Sequence, residues 1–292
     1  MKTAPECLSC FVKQAALAVQ RVSTDPDRVF AVVQAASKVL PSLSRDLAPG
    51  ENATLVLREV AATLGNHDLY SAERAHYNAL ALAACDALRE TIARSPDPLE
   101  AAVRVAAVGN VLDLNIFEHV DVATIADEAL AIPWAIHDFD AFKRDVSTAR
   151  HILYLGDNAG EIAFDRLLVD ALPPGSVTFA VKSGPVSNDA LLEDARQVGL
   201  DRVARVIETG SDFFGAALSR CSPAFRAEFD AADMIVAKGM ANFETLGDVD
   251  ANLYFILKVK CDPVARAIGA RSGDLVLLAQ RDRMHGRTLA GP

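Results

Sequence analysis

Residues 156–161 read Gly-Asp-Asn-Ala-Gly-Glu, between the apolar run HILYL and the helical pattern EIAFDRLLVDAL. Core packing has no use for this many oxygen-bearing side chains at the tip of a strand. Asp157 and Asn158, with Asp189 after the next apolar run, offer two carboxylates and an amide carbonyl. With no His or Cys beside them, these hard oxygen donors suit Mg²⁺ or Mn²⁺ with water completing the shell. Gly156 permits an awkward turn and Gly160 lets a ligand approach the main chain. A helix beginning near Gly160 would present free N–H groups and a positive dipole end to a phosphate. Lys238, in AKGMANFE, adds a positive charge for phosphate oxygens. The chemistry expected is metal-assisted hydrolysis. Asp157, Asn158 and Asp189 hold the ion, while Lys238 and the amides after Asn158 stabilise charge on the phosphoryl group. Asp157 or Asp189 orients the attacking water or acts as nucleophile. Each residue also has a plainer reading: Asp157-Asn158 as an Asx turn, Asp189 as a helix cap and Lys238 as a solvated loop lysine.

These residues need a scaffold that brings strand ends together. From about residue 151 onward, short apolar runs (HILYLG, VTFAVKSG, RVIETG, MIVAKG, YFILKVKC, LVLLAQ) alternate with amphipathic stretches. Strand, helix, strand in repetition predicts a mainly parallel sheet covered on both faces, a three-layer α/β/α Rossmann-like domain. Ligands bind such sheets outside the carboxyl ends of the strands, where the candidate residues lie. The first half has helical periodicity throughout, in CFVKQAALAVQRV, VFAVVQAASKVL, NATLVLREVAATLG, RAHYNALALAACDALRETIA and LEAAVRVAAVGNVLD. Ser23, Asp27 and Ser95 stand where helix caps are expected. The division is therefore an α-helical domain over residues 1–145 and an α/β/α domain over 146–292.

Taken together, GDNAGEIAFDRLL, KSGPVSNDA, AKGMANFETL and LKVKCDPVARAIGARSGD resemble the damage-control phosphatase family. The resemblance extends through CLSC, HDLYSAERAHYN and AAVGNVLDL to nearly the whole chain, and the early Cys-x-x-Cys matches the prokaryotic branch. It implies a helical domain on an α/β/α domain, one divalent metal (Mn²⁺, Mg²⁺, Co²⁺ or Ni²⁺) and a small phosphorylated metabolite such as a sugar phosphate as substrate. It assigns Asp157, Asn158 and Asp189 to the metal. It assigns Lys238, Asn242, Glu161 and, from the helical half, Asn110 and Asp113 to the substrate. Where the family pattern has Asp-Pro-Tyr and a lysine, this chain has Asp68, Leu69, Tyr70 and Arg74, which puts that loop's substrate role in question.

The formal net charge of −10 and the lack of a basic block argue against nucleic acid or an anionic membrane as partner. No apolar run approaches the ~20 residues of a membrane span, and the first ten residues lack a leader's apolar core, so the expectation is a cytoplasmic protein. Cys7-x-x-Cys10 is half of a zinc site, a redox dithiol or two partly buried thiols. G-x-G-x-x-G and P-loop spacings are absent. An S-adenosylmethionine-dependent carboxyl methyltransferase, an activity proposed within the resembling family, and a non-catalytic phosphometabolite-binding protein are the alternatives.

Overall fold

A computed structural model describes residues 1–109 and 131–281. It opens with helices α1 (Cys7–Gln20), α2 (Pro26–Ser37), α3 (Pro49–Leu64), α4 (Ser71–Arg94) and α5 (Pro98–Gly109). Prolines set the starts of α2 and α5, because proline's fixed φ suits the first helical position and makes the preceding residue the cap. Asp25 therefore caps α2, accepting from the Asp27 N–H at 3.1 Å, and Asp97 accepts from the Glu100 N–H at 3.3 Å. The expected caps shift accordingly: Ser23 precedes the cap, Asp27 lies inside the first turn and Ser95 closes α4.

The sheet follows: β1 (Trp134–His137), α6 (Phe139–Thr148), β2 (Ile152–Leu155), α7 (Glu161–Ala171), β3 (Val177–Val181), α8 (Leu192–Gln197) and β4 (Arg205–Glu208). Then come α9 (Pro223–Ala231), β5 (Met234–Lys238), α10 (Gly239–Leu246), β6 (Leu253–Lys258), α11 (Asp262–Ile268) and β7 (Leu275–Ala279). Among the described residues seven strands form one sheet in the order β1-β7-β6-β5-β2-β3-β4. All pairs are parallel except β6–β7, so β1 and β7 run against the other strands. The pattern reading does not anticipate β1, a short edge strand in which only Ile136 is buried. The sheet thus begins before the expected boundary near residue 145.

Strand residues alternate between two cores. Ile152, Tyr154, Phe179, Val236 and Tyr254 pack against α4–α8, while Leu153, Leu155, Ala180, Ile235 and Phe255 face α9–α11. Burying both faces makes β2 apolar at every position, as a central parallel strand requires. A third core joins α1, α2 and α3. Hence α4 and α5 cover one face of the sheet, and α3 packs on α10, the helix that follows β5. Among the described residues no helix is long and apolar enough to cross a membrane.

Candidate active site

The chain leaves β2 for β3 and β4 on one side, then returns to place β5 and β6 on the other, which makes the β2–β5 junction the topological switch point. Asp157 and Asn158 follow β2 at this point. Asp189 comes from the loop after β3, which doubles back through Ser187 in a left-handed conformation (φ 49°). The two loops are stitched by their backbones. The Ala190 N–H donates to Asp157 O at 2.8 Å and the Ala159 N–H to Asn188 O at 2.9 Å, with Asn158 facing Asp189 in an antiparallel bridge. The three expected ligands are thereby brought together by main chain alone.

Side chains complete the cradle. Asn158 Nδ2 donates to Asp157 Oδ2 at 3.1 Å and to Glu161 Oε2 at 3.2 Å. This bonding assigns the amide orientation and leaves Asn158 Oδ1 as the acceptor for a cation. Asp189 is 1% exposed, and its Oδ2 lies 3.6 Å from Lys182 Nζ, too far for a hydrogen bond, so that oxygen has no hydrogen-bond partner among the described residues. Burial, then the charge of Glu161, pushes the Asp157 carboxyl up to about 6, and burial drives Asp189 well above the usual carboxylate range. The buried carboxylates here are Asp157, Glu161, Asp165, Asp189 and Glu244, against the buried cations Lys182 and Lys238. Such an acid excess with an orphaned oxygen is what a divalent cation would relieve, and the oxygen-only donor set fits a hard ion. The set is two carboxylates and one amide; among the described residues no three His, Cys, Asp or Glu side chains converge on one point.

Lys238 does not face the cleft. Fully buried, its ammonium donates to Ala106 O at 2.8 Å, Glu161 Oε1 at 2.6 Å and Asp165 Oδ1, which uses all three of its hydrogens. Burial lowers its pKa, but the charges of Asp165 and Glu161 outweigh that and hold it above the ordinary lysine value. Expected to bind phosphate, Lys238 instead clamps Glu161, which in turn holds Asn158. Glu161, expected to contact substrate, is 1% exposed and committed to this clamp. Asn242 is likewise turned inward, donating to Lys238 O at 2.8 Å and Gly156 O at 3.3 Å. The amides after Asn158 are spent too: that of Ala159 on Asn188 O, and that of Gly160 on Asn78 Oδ1 at 2.6 Å. Asn110 and Asp113 lie outside the described residues.

Asn78 belongs to a strut that sequence reading overlooks. From α4 it also donates to Asp194 Oδ1 at 2.8 Å, and Asp194 Oδ2 accepts from the Leu191 N–H at 2.8 Å. One helix thus grips the loop after β2 at Gly160 and the loop after β3 at Leu191. Arg74, 1% exposed, braces the strut through Asp194 (3.1 Å) and both oxygens of Asp68 (2.8 and 2.7 Å). In this chain Asp68 and Arg74 thus bond to each other.

The cleft above the cradle has a volume of about 620 Å³ and lies between α1, α3 and the strand ends. Lys260, just after β6, is its only lining Lys or Arg among the described residues, and it lowers the Asp157 pKa through space. Reading the residues after β6, KVKCD, by the strand-end rule would have found it. Cys7, Cys10 and Cys261 line the same cleft as free thiols whose pKa values burial raises.

Comparison with known proteins shows the relatives of the whole chain. A damage-control phosphatase of Pyrococcus horikoshii is 32% identical, covering 97% of this chain and all of its own length (100%). One of Archaeoglobus fulgidus is 33% identical, covering 94% and 98% of the two chains. An uncharacterised protein of Methanocaldococcus jannaschii is 34% identical over 95% of each. The crystal structure of a DUF89 family protein from Pyrococcus horikoshii superposes with a TM-score of 0.89 at 30% identity, covering 96% of this chain and 99% of that one. With residues 3–276 matching the model of the damage-control phosphatase ARMT1-like domain, the chain belongs to that family.

Proposed function

We propose that this protein is a metal-dependent phosphatase that hydrolyses small phosphomonoesters, sugar phosphates or damaged phosphometabolites, by attack of water on phosphorus. Family membership supports phosphate-ester hydrolysis in metabolite repair. The observation that carries the finer reading is the backbone stitching of Asp157-Asn158 to Asp189, which gathers two buried carboxylates and an amide oxygen at the switch point. A divalent ion held by Asp157, Asn158 Oδ1 and Asp189 (Mg²⁺, Mn²⁺, Co²⁺ or Ni²⁺) would supply neutralisation of phosphate charge and a water acidic enough to react near neutral pH.

The chain's own residues supply the rest. Lys260 offers the cleft's positive charge to the phosphate oxygens. Asp157 or Asp189 accepts a hydrogen bond from the incoming water and takes its proton. Lys238 holds Glu161 in place, so that Asn158 keeps its amide nitrogen on Glu161 and its oxygen toward the ion site. Asn78 keeps the Gly160 turn from shifting the loop.

The test is inorganic phosphate release from a generic phosphomonoester by chelator-stripped protein, with single divalent ions added back. Release that depends on the ion supports the reading. No release with any ion, from folded protein that still binds the ion, would contradict it and favour methyl transfer or binding alone.

A further inference from the structure

The cleft contains a carboxylate that the reaction above does not use. Glu244 lies on α10, on the helix face it shares with Met240 and Ala241, and all three line the cleft. It is 8% exposed, and its Oε2 accepts from the Gly50 N–H in the first turn of α3 at 2.9 Å. Among the described residues no Lys, Arg or His side chain forms an ion pair with it at 4 Å or less, the separation that defines such a pair. Gly50 allows this approach: a Cβ there would lie 2.9 Å from Phe214 Cβ and 3.4 Å from Glu244 Oε2. Burial pushes the carboxyl up to about 7, against the lowering effects of the Gly50 hydrogen bond and of the amino-terminal ammonium, which donates to the Glu244 main-chain carbonyl. The cleft it lines carries apolar surface from Phe11, Ala53, Phe214 and Met240, together with the thiols of Cys7, Cys10 and Cys261, on which its charge acts.

A carboxylate in such surroundings, with one oxygen fixed by a single amide, is under-satisfied unless a donor reaches it. The phosphate end of a substrate would be drawn to the cradle and Lys260, so the donor must come from the other end. We propose that Glu244 is a specificity-determining residue: it accepts a hydrogen bond from a hydroxyl or ammonium on the organic part of a phosphomonoester and rejects substrates whose organic part carries a second anion. This rests on the phosphatase reading for the phosphate end only. Discrimination of this kind is strong because a mismatched ligand both leaves the carboxylate without its donor and brings a like charge against it.

The competing role is a clamp between α3 and α10. Glu244→Gln separates the two, since the glutamine carbonyl still accepts from the Gly50 N–H while the charge is gone. The probes are non-hydrolysable phosphonate isosteres of a hexose 6-phosphate and of the corresponding hexonic acid 6-phosphate, titrated calorimetrically into the full chain with Mg²⁺. The expected wild-type preference for the hexose ligand is about tenfold or more, collapsing to within roughly threefold in Glu244→Gln as the carboxylated ligand gains affinity. Equal weakening of both ligands with a lowered melting temperature overturns the proposal in favour of the clamp, and so does an unchanged ratio. If the ratio behaves as expected but wild type releases no phosphate from hexose 6-phosphate or a generic phosphomonoester with any added ion, the phosphatase reading fails and the role of Glu244 in ligand choice stands.

Discussion

Gly239 lies directly against the Asp157 carboxylate: a Cβ on Gly239, whose φ is +76°, would fall 1.9 Å from Asp157 Oδ2. The end of β5 thus fits under the loop after β2 only because position 239 has no side chain. Gly239→Ala must expel the carboxylate from its place and strain the backbone by about 1–2 kcal/mol. The expected outcome is a loss of Mn²⁺ affinity of about tenfold or more, following the displacement of one of the three proposed ligands. Mn²⁺ titration followed by electron paramagnetic resonance checks this, and unchanged affinity would show that Asp157 is not a ligand.

The Asn78 strut ties both ligand loops to α4. Asn78→Ala leaves the Gly160 amide and Asp194 Oδ1 short of partners in a buried site, at a cost of about 1–3 kcal/mol. Denaturant unfolding should show that loss. Mn²⁺ affinity should fall with it, because the loops are freed to move apart. A stability loss with full ion affinity would confine Asn78 to a structural role.

Lys238 sits between Glu161 and Asp165 with no access to the cleft. Lys238→Met strands two buried acids and should destabilise the fold by about 3–5 kcal/mol. Adding Asp165→Asn and Glu161→Gln should recover much of that stability, because the buried charge is then gone. Equilibrium unfolding of the single and triple variants decides. A fully stable Lys238→Met protein would refute the ion-pair assignment.

The cradle also predicts how pH and metal act together. Asp157 titrates at about 6 in the folded chain against an ordinary 3.8, and Glu244 at about 7 against 4.5, both raised first by burial. The folded state therefore binds these protons more tightly than the unfolded state. Their stabilising contribution is complete below the ordinary carboxylate values and is lost as pH rises through about 6 to 7. A divalent ion takes over from the proton at Asp157. The increment in melting temperature on adding saturating Mg²⁺ to stripped protein should thus be larger at about pH 7.5 than at about pH 5. An equal increment at both would mean that the ion binds elsewhere.

What the sequence discloses here follows from what is local. β2 through β7 are legible because each is an apolar run bounded by Gly or polar residues, and Asp157, Asn158 and Asp189 are legible because they follow such runs. The edge strand Trp134–His137 has no apolar run to mark it. An amphipathic pattern says that α4 and α5 bury a face but not against what, so their place on the sheet is a tertiary fact. The direction of Lys238 is equally non-local, although Glu161 and Asp165, four apart on the buried face of α7, are a signal that a cation must meet them. The bridging of the two ligand loops depends on the turn at Ser187, a residue type that does not announce a left-handed conformation. Glu244 and Lys260 become neighbours of the cradle only when α10 and the end of β6 close on α1 and α3.

The central claim is that Asp157, Asn158 and Asp189 hold one divalent ion on which phosphate release depends. The decisive measurement pairs ion binding with turnover in wild type, Asp157→Asn and Asp189→Asn, each shown to be folded by its circular dichroism spectrum. The account predicts one Mn²⁺ per chain and ion-dependent release of phosphate from a generic phosphomonoester in wild type, with both lost together in each variant. Phosphate release that persists in both variants, or survives removal of the ion, would contradict it.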